Sequence, residues 1–466
     1  MKLDDEQALG TLFGNPRVIV VLVAVGLWAI LSAGALVLDP AKVFVVFVAM
    51  VAGASLLVRP AAALVGVLAL RVVMDLLWWM GRTAVGLNLM ELFSAFATGG
   101  VFALVLLHFD EIQEHPALPW VVPFLGLLTL ASLRTGGVQG LESLAKLGGP
   151  VVILLAVSMY AKEARWQDRI LAGITVAGAI PVLYSTWCVL THRHFEPFAG
   201  AERLVGAFQN PTEHALTMLF MSCLGVYWVD RLKGWGRVAA GAYALAALVC
   251  LYYANTRATE LGFAVFAGIY LARQRRWSLL AAALVGAVAL YLSSDLMQAR
   301  FGKLATEAFS GPTIDDPTGE LGSGRWSLWT ASMEAFLRRP AYDLVLGAGA
   351  AQEKAYYLVK DPHNDYLSVL YQAGPIAVIS LVGILWGAVR RVWEPGDPSD
   401  RPTYLRANFL LALVVACAFV SFMTNGFISR TAPAWYFFAA AGLAYVFAAS
   451  ESSEAEVEAP KVTRVA

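Results

Sequence analysis

Four polar stretches interrupt a largely apolar chain, and they hold the residue types that could do chemistry. The first runs Arg203-Leu-Val-Gly206-Ala-Phe208-Gln-Asn210-Pro211. Asn-Pro is a turn and helix-start signal, so Arg203 stands a few residues ahead of a helix. The second, Asn255-Thr256-Arg257-Ala258, is a very short turn between two apolar runs, with Glu260 as the nearby acid. A guanidinium so placed must lie at or just within a membrane interface, because charge deeper in the bilayer is costly. The third, Gly324-Arg325-Trp326, adds another Arg and is followed by Gly347-Ala-Gly349, which supplies backbone freedom. The fourth is Asp361-Pro362-His363-Asn364-Asp365-Tyr366-Leu367. Asp-Pro is a turn signal, and Asn364 or Asp365 can cap the helix that follows. His363 then lies at a helix N-terminus, where the positive end of the dipole favours a neutral imidazole able to accept a proton. Taken singly, each residue also has a plain structural role: an interfacial Arg snorkels to headgroups, and a His in a polar loop is commonly a surface residue. The Gly-rich stretch is not followed by Gly-Lys-Ser/Thr, so it is no P-loop. Without His-Glu-x-x-His or a paired Cys/His set, the sequence argues for no metal site and no cofactor.

The elements that position these residues follow from composition. Of 466 residues 59% are hydrophobic and 15% charged, against about 45–50% and about 25% in soluble domains. The chain is expected to be an all-α polytopic membrane protein. A soluble enzyme, a secreted disulfide scaffold and a disordered chain are excluded together. Cys188, Cys223, Cys250 and Cys417 each sit in an apolar run and read as small buried hydrophobes. With about 20 apolar residues per span, candidate spans fall near 18–38, 41–58, 60–80, 87–107, 118–134, 140–161, 168–191, 213–230, 237–255, 259–272, 277–294, 366–390, 404–424 and 431–449. That makes about 12–14 transmembrane helices in a single domain over 1–449. Asp4, Asp5 and Glu6 make a poor signal-peptide start, so the first apolar run is read as a permanent span. The tail 450–466 is acidic and rich in small residues, and is expected to be disordered.

Lys and Arg near span ends set the orientation. With the N-terminus cytoplasmic, Lys162, Arg165 and Arg169, then Arg231, Lys233 and Arg237, then Arg273, Arg275 and Arg276, then Arg390, Arg391, Arg401 and Arg406 all fall inside. Both termini are then cytoplasmic, and two long loops, 192–212 and about 295–365, lie outside. The longer loop is expected to contain short helices, one from Trp326 to Leu337 lying at the interface, with Trp326, Trp329 and Phe336 at headgroup level. Within spans, Arg71 and Asp75 at i, i+4 should pair, Glu142 and Lys146 repeat the spacing, and Glu91 lies near an outer span end. The 34 basic and 34 acidic residues cancel, which leaves no basic surface for nucleic acid. The long loop itself carries 10 acidic and 7 basic residues, so any anion site there must be local.

The order of the polar stretches resembles the O-antigen ligase and O-antigen polymerase superfamily of bacterial envelope glycosyltransferases. The resemblance covers roughly residues 200–390. It is carried by Arg203-x-x-Gly206-x-Phe208-x-Asn210-Pro211, Thr256-Arg257, Gly324-Arg325, Gly347-x-Gly349 and His363-Asn364-x-Tyr366-Leu367. The chain departs from the usual pattern at Thr212, Thr256, Gln372 and Ala377, which surround the candidate residues and leave them in place. The resemblance implies a GT-C-like inner-membrane transferase acting on the periplasmic side without a metal. It would take a glycan from undecaprenyl diphosphate and pass it to lipid A–core (a ligase) or to another carrier-linked repeat (a polymerase). It also implies His363 as catalytic base, Arg203, Arg257 and Arg325 as diphosphate ligands, and Asn210, Asn364 and Tyr366 as supporting residues. A lipid-carrier flippase or transporter is the more distant alternative. Such proteins place charge near the midplane within internal repeats, whereas these candidates gather at one face.

Overall fold

The computed structural model describes residues 59–74, 89–198, 201–293, 298, 325–349, 363–394 and 397–457. The candidate spans at 18–38 and 41–58, and Asp75, fall outside these residues, as do the side chains of Glu91 and Arg325. Helices dominate the rest: α1 (Pro60–Met74), α2 (Leu89–Leu107), α3 (Phe109–Gln113), α4 (Leu118–Thr135), α5 (Gly137–Tyr160) and α6 (Ala164–Thr191). A hairpin of β1 (Phe195–Phe198) and β2 (Ala201–Leu204) leads to α7 (Pro211–Arg231), α8 (Gly234–Tyr253), α9 (Arg257–Arg273) and α10 (Trp277–Ser293). Then come α11 (Arg325–Leu337), α12 (Ala341–Leu346), α13 (Asp365–Arg391), α14 (Arg401–Met423) and α15 (Thr431–Val457). In hydrocarbon every backbone polar group must be satisfied within its own segment, so the apolar runs have no alternative to helix. The protein is an all-α polytopic membrane protein. Among the described residues six helices are long and apolar enough to cross a membrane: α4, Gln139–Tyr160 of α5, α6, α8, α13 and α14.

Burial sorts these helices into a centre and a rim. Residues 405–414 of α14 and 432–447 of α15 are all buried, as are thirteen residues of α7. The polar content of α7 (Thr217, Ser222, His214) is thus shielded from lipid. Outer helices show lipid-facing stripes such as Val176, Leu183 and Leu190 on α6 and Leu284, Val285 and Leu292 on α10. With lipid on the far side, helices gain by close approach at small residues. Gly225 of α7 meets the Ala244 backbone of α8, and Gly442 of α15 meets the Leu154 carbonyl of α5. The four cysteines are buried and unbridged, as expected, and Lys146 pairs with Glu142. Arg71 is buried in α1.

Alternating helix directions bring the short connections to two ends, called inner and outer here after the Lys/Arg assignment. At the inner end Asp168 receives Arg231 at 2.8 Å and Arg406 at 3.1 Å. There Asp230 receives Arg276 at 2.7 Å, and Arg273 reaches Asn408 at 3.0 Å. The described residues of the 192–212 and 295–365 loops lie at the outer end. Two details depart from expectation. The 192–212 loop contains the hairpin, in register Phe195↔Leu204 and Glu196↔Arg203. And α11 rests on protein: Phe336 is buried against Tyr371 (ring centroids 5.4 Å) and Trp329 packs on Phe422 (5.2 Å).

Candidate active site at the outer end

Arg203 lies at the end of β2, three residues before Gly206. Gly206 has φ +59, and a Cβ there would stand 2.5 Å from Ser185 Oγ and 2.8 Å from the His214 ring. Only glycine fits this turn, so the backbone closes onto α6 and α7 and directs the hairpin across the outer end. From there Arg203 donates Nε to the Ala254 carbonyl (3.1 Å) and a terminal nitrogen to Thr256 Oγ1 (2.7 Å). These two residues flank Asn255, which has φ +53, and the next residue, Arg257, opens α9. Arg203 therefore binds the turn from which Arg257 departs.

Asn210 is the N-cap of α7: its side-chain oxygen accepts from the Thr212 amide at 2.7 Å, and Pro211 occupies the first helical position. Glu213, in the first turn, accepts from Arg430 at 3.3 Å. Arg430 ends the loop between α14 and α15, and that loop carries the main attachment of the His363 segment. Asp365 is fully buried, and its carboxylate accepts from the amides of Gly426 (2.9 Å) and Ile428 (3.1 Å) and from the Ser429 hydroxyl. Asn364 caps α13, accepting from the amides of Tyr366 (3.0 Å) and Leu367 (3.1 Å). Tyr366 donates its hydroxyl to the Ala418 carbonyl of α14 at 3.3 Å. His363 precedes this knot with φ +48, and its side chain is exposed. Asn210 and Asn364 thus close helix N-termini and Tyr366 ties α13 to α14, while the exposed His363 precedes the Asn364 cap.

A second anchor lies along α13. Gly374 (φ +83) and Pro375 break the helix, and Pro375 has no N–H to give the Tyr371 carbonyl. Ala348 and Gly349 supply the missing donors, to Tyr371 O (2.7 Å) and Gln372 O (3.1 Å). A Cβ on Gly347 would stand 2.4 Å from the Gln372 backbone, and one on Gly374 2.2 Å from the Val345 carbonyl oxygen. Gly347-x-Gly349 is therefore a clasp on the broken helix. Arg134, at the end of α4, fixes it by donating to Gly347 O and to Asp343 (2.6 Å). Gln372 is neutral and accommodated, accepting from Ser143 (3.4 Å) and donating to Ser368 (3.1 Å).

Arg203, Arg257, Asn210, His363, Asn364 and Tyr366 thus all lie at the outer end. Arg203 holds the turn that precedes Arg257, and the His363 segment is joined to the start of α7 through Asp365, Ser429, Arg430 and Glu213. Arg325 is the first residue of α11, and its side chain lies outside the described residues. Sequence reasoning missed Arg430, Glu213 and Arg134. The signal for Arg430 was present in the polar break Asn425-Gly426…Ser429-Arg430 between two apolar runs. Among the described residues no group of three or more His, Cys, Asp and Glu is placed to hold a metal ion.

The arrangement offers guanidiniums for an anion and an exposed imidazole at one end of a membrane bundle. No curated protein matches the chain. The family model described as O-antigen ligase matches residues 242–382, from within α8 to within α13, and takes in Arg257, Arg325 and His363. Over that stretch the chain resembles the O-antigen ligase family.

Proposed function

We propose that the protein is an O-antigen ligase-like glycosyltransferase of the bacterial inner membrane. It transfers a glycan from undecaprenyl diphosphate to an acceptor hydroxyl, that of lipid A–core, on the periplasmic face. The observation that carries this reading is the shared outer end: an exposed His363 on a rigid helix start, and Arg257 on a turn held by Arg203.

The chemistry suits these side chains. A lipid diphosphate is a good leaving group, so its departure needs charge stabilisation rather than a general acid. Guanidiniums stay charged and grip phosphate oxygens through two N–H donors. Fixed beforehand, they stabilise the charge that develops as the bond breaks. The acceptor hydroxyl is a weak nucleophile, and His363 takes its proton. The acceptor oxygen forms a bond to the anomeric carbon while the bond from that carbon to the diphosphate oxygen breaks. The electron pair leaves with the diphosphate and the proton rests on the imidazole. One displacement inverts the anomeric centre, with no covalent glycosyl-enzyme and no metal ion in any step.

The test is His363→Ala, assayed as purified protein with carrier-linked glycan and lipid A–core. We expect transfer to fall by about 10²–10⁴-fold, the usual contribution of a positioned base, while donor binding persists. Transfer at the wild-type rate refutes the base. Consumption of carrier-linked repeats in place of lipid A–core makes the protein a polymerase. Activity is expected to survive EDTA; its loss refutes the metal-free mechanism.

A further inference from the structure

Among the described residues the outer end carries guanidiniums that the sequence motifs do not name, Arg134 and Arg430 among them. Arg430 stands just before α15, on the loop whose amides and hydroxyl hold Asp365, so its backbone is fixed relative to His363. Its one recorded ion pair is with Glu213, with 3.3 Å between nitrogen and oxygen, longer than the ~2.7–2.9 Å of a strong charge-assisted bond. Its Nε is buried and has no hydrogen-bond partner among the described residues, yet the side chain is 29% exposed. A guanidinium has five N–H donors in a fixed fork, and among the described residues one long contact, that to Glu213, engages it. The nearest other carboxylate along the loop's contacts, that of Asp365, is already committed to Gly426, Ile428 and Ser429. Arg203, by contrast, gives two donors to the 254–256 turn.

We infer that Arg430 is a further ligand for the anionic group of the substrate, gripping a phosphate oxygen of a polyprenyl diphosphate. Glu213 holds the guanidinium over the start of α7, and the fork's remaining donors face the ligand. This rests on the transferase reading and adds to it a binding residue outside the 242–382 domain. An ion pair that merely braces the α14–α15 loop against α7 is the competing role.

The experiment measures binding of a polyprenyl diphosphate, and of the matching monophosphate, to the full chain in phosphatidylcholine nanodiscs. Arg430→Gln should weaken diphosphate binding by about tenfold or more, the effect of losing a hydrogen bond between charged groups. It should do so both in the wild-type and in a Glu213→Gln background, because the lost contact is to the ligand. If the Arg430→Gln effect vanishes once Glu213 is Gln, the residue acts only through its ion pair and the inference falls. Should Arg430→Gln fail to fold, Arg430→Lys is read in its place: it keeps a charge but loses the fork, and wild-type affinity there overturns the inference. Displacement of the diphosphate by phosphatidylglycerol doped into the discs would make the site a lipid-headgroup contact and also overturns it. If wild-type protein does not prefer the diphosphate to the monophosphate, the transferase reading itself has failed; Arg257→Gln serves as the control that separates the two.

Discussion

Arg203 and Arg257 meet the same turn from two sides of the sequence. The guanidinium of Arg203 lies along the 254–256 turn, bonded to a carbonyl and a hydroxyl, and that turn launches Arg257. Lys cannot reproduce this pattern, since its ammonium is a point charge without a planar fork. Each of Arg203→Lys and Arg257→Lys should lower kcat/KM by about 10–100-fold, as expected when a hydrogen bond to a charged group is lost. If Arg203 works by fixing the turn, the double variant should be little worse than either single one, because residues acting as a unit are not additive. Losses that multiply would mean that Arg203 meets the substrate independently. Asn210, Asn364 and Tyr366 carry a similar lesson. The resemblance implies a supporting role for them, and in the fold they are caps and anchors: two side chains close helix N-termini and one hydroxyl ties α13 to α14.

At the scale of elements, the break in α13 places the site. The segment before Gly374 carries His363, and the segment after Pro375 crosses the membrane. Between them the Gly347–Gly349 clasp supplies the N–H groups that the proline cannot. Gly374→Ala would force a Cβ into the Val345 carbonyl at a backbone angle that only glycine adopts readily. We expect it to cost about 2 kcal/mol or more, read as a lower thermal midpoint in detergent, with activity lost as the His363 segment loosens. Gly268→Ala is the control, since a Cβ at Gly268 meets nothing within 4 Å. Equal stability of the two variants would refute the clasp. The helices themselves were legible in the sequence because a bilayer leaves an apolar run one option. α4, predicted at 118–134, is Leu118–Thr135, and α13, predicted at 366–390, is Asp365–Arg391. What the sequence withheld are contacts between distant positions. Asp365 meets Ser429 64 residues away, and Glu213 meets Arg430 217 residues away; no local pattern encodes either. The hairpin was hidden for another reason: its strands have four residues each and one contains Pro197, so no alternation develops. Phe336, placed at headgroup level from the amphipathic look of 326–337, is buried against Tyr371, a packing that no local pattern encodes.

For the whole molecule, the separation of the two ends makes orientation a single question. Three of the arginines that the positive-inside rule gathers, Arg231, Arg276 and Arg406, pair with Asp168 and Asp230, and the candidate site lies at the other end. Packing ties the two ends through continuous helices, so the orientation of any one span fixes that of all the described ones. If the site is periplasmic, residues of the hairpin face the periplasm, and those of the α13–α14 connection face the cytoplasm. The native thiols are all buried, so an introduced cysteine can be read against a quiet background. Glu202 and Ser399 are both exposed and lie at opposite ends. In intact spheroplasts, Glu202→Cys should react with a membrane-impermeant maleimide, while Ser399→Cys should react only after the membrane is opened. The reverse pattern would put His363 and Arg257 in the cytoplasm, where a periplasmic acceptor cannot reach them. It would overturn the proposed function while leaving the fold intact.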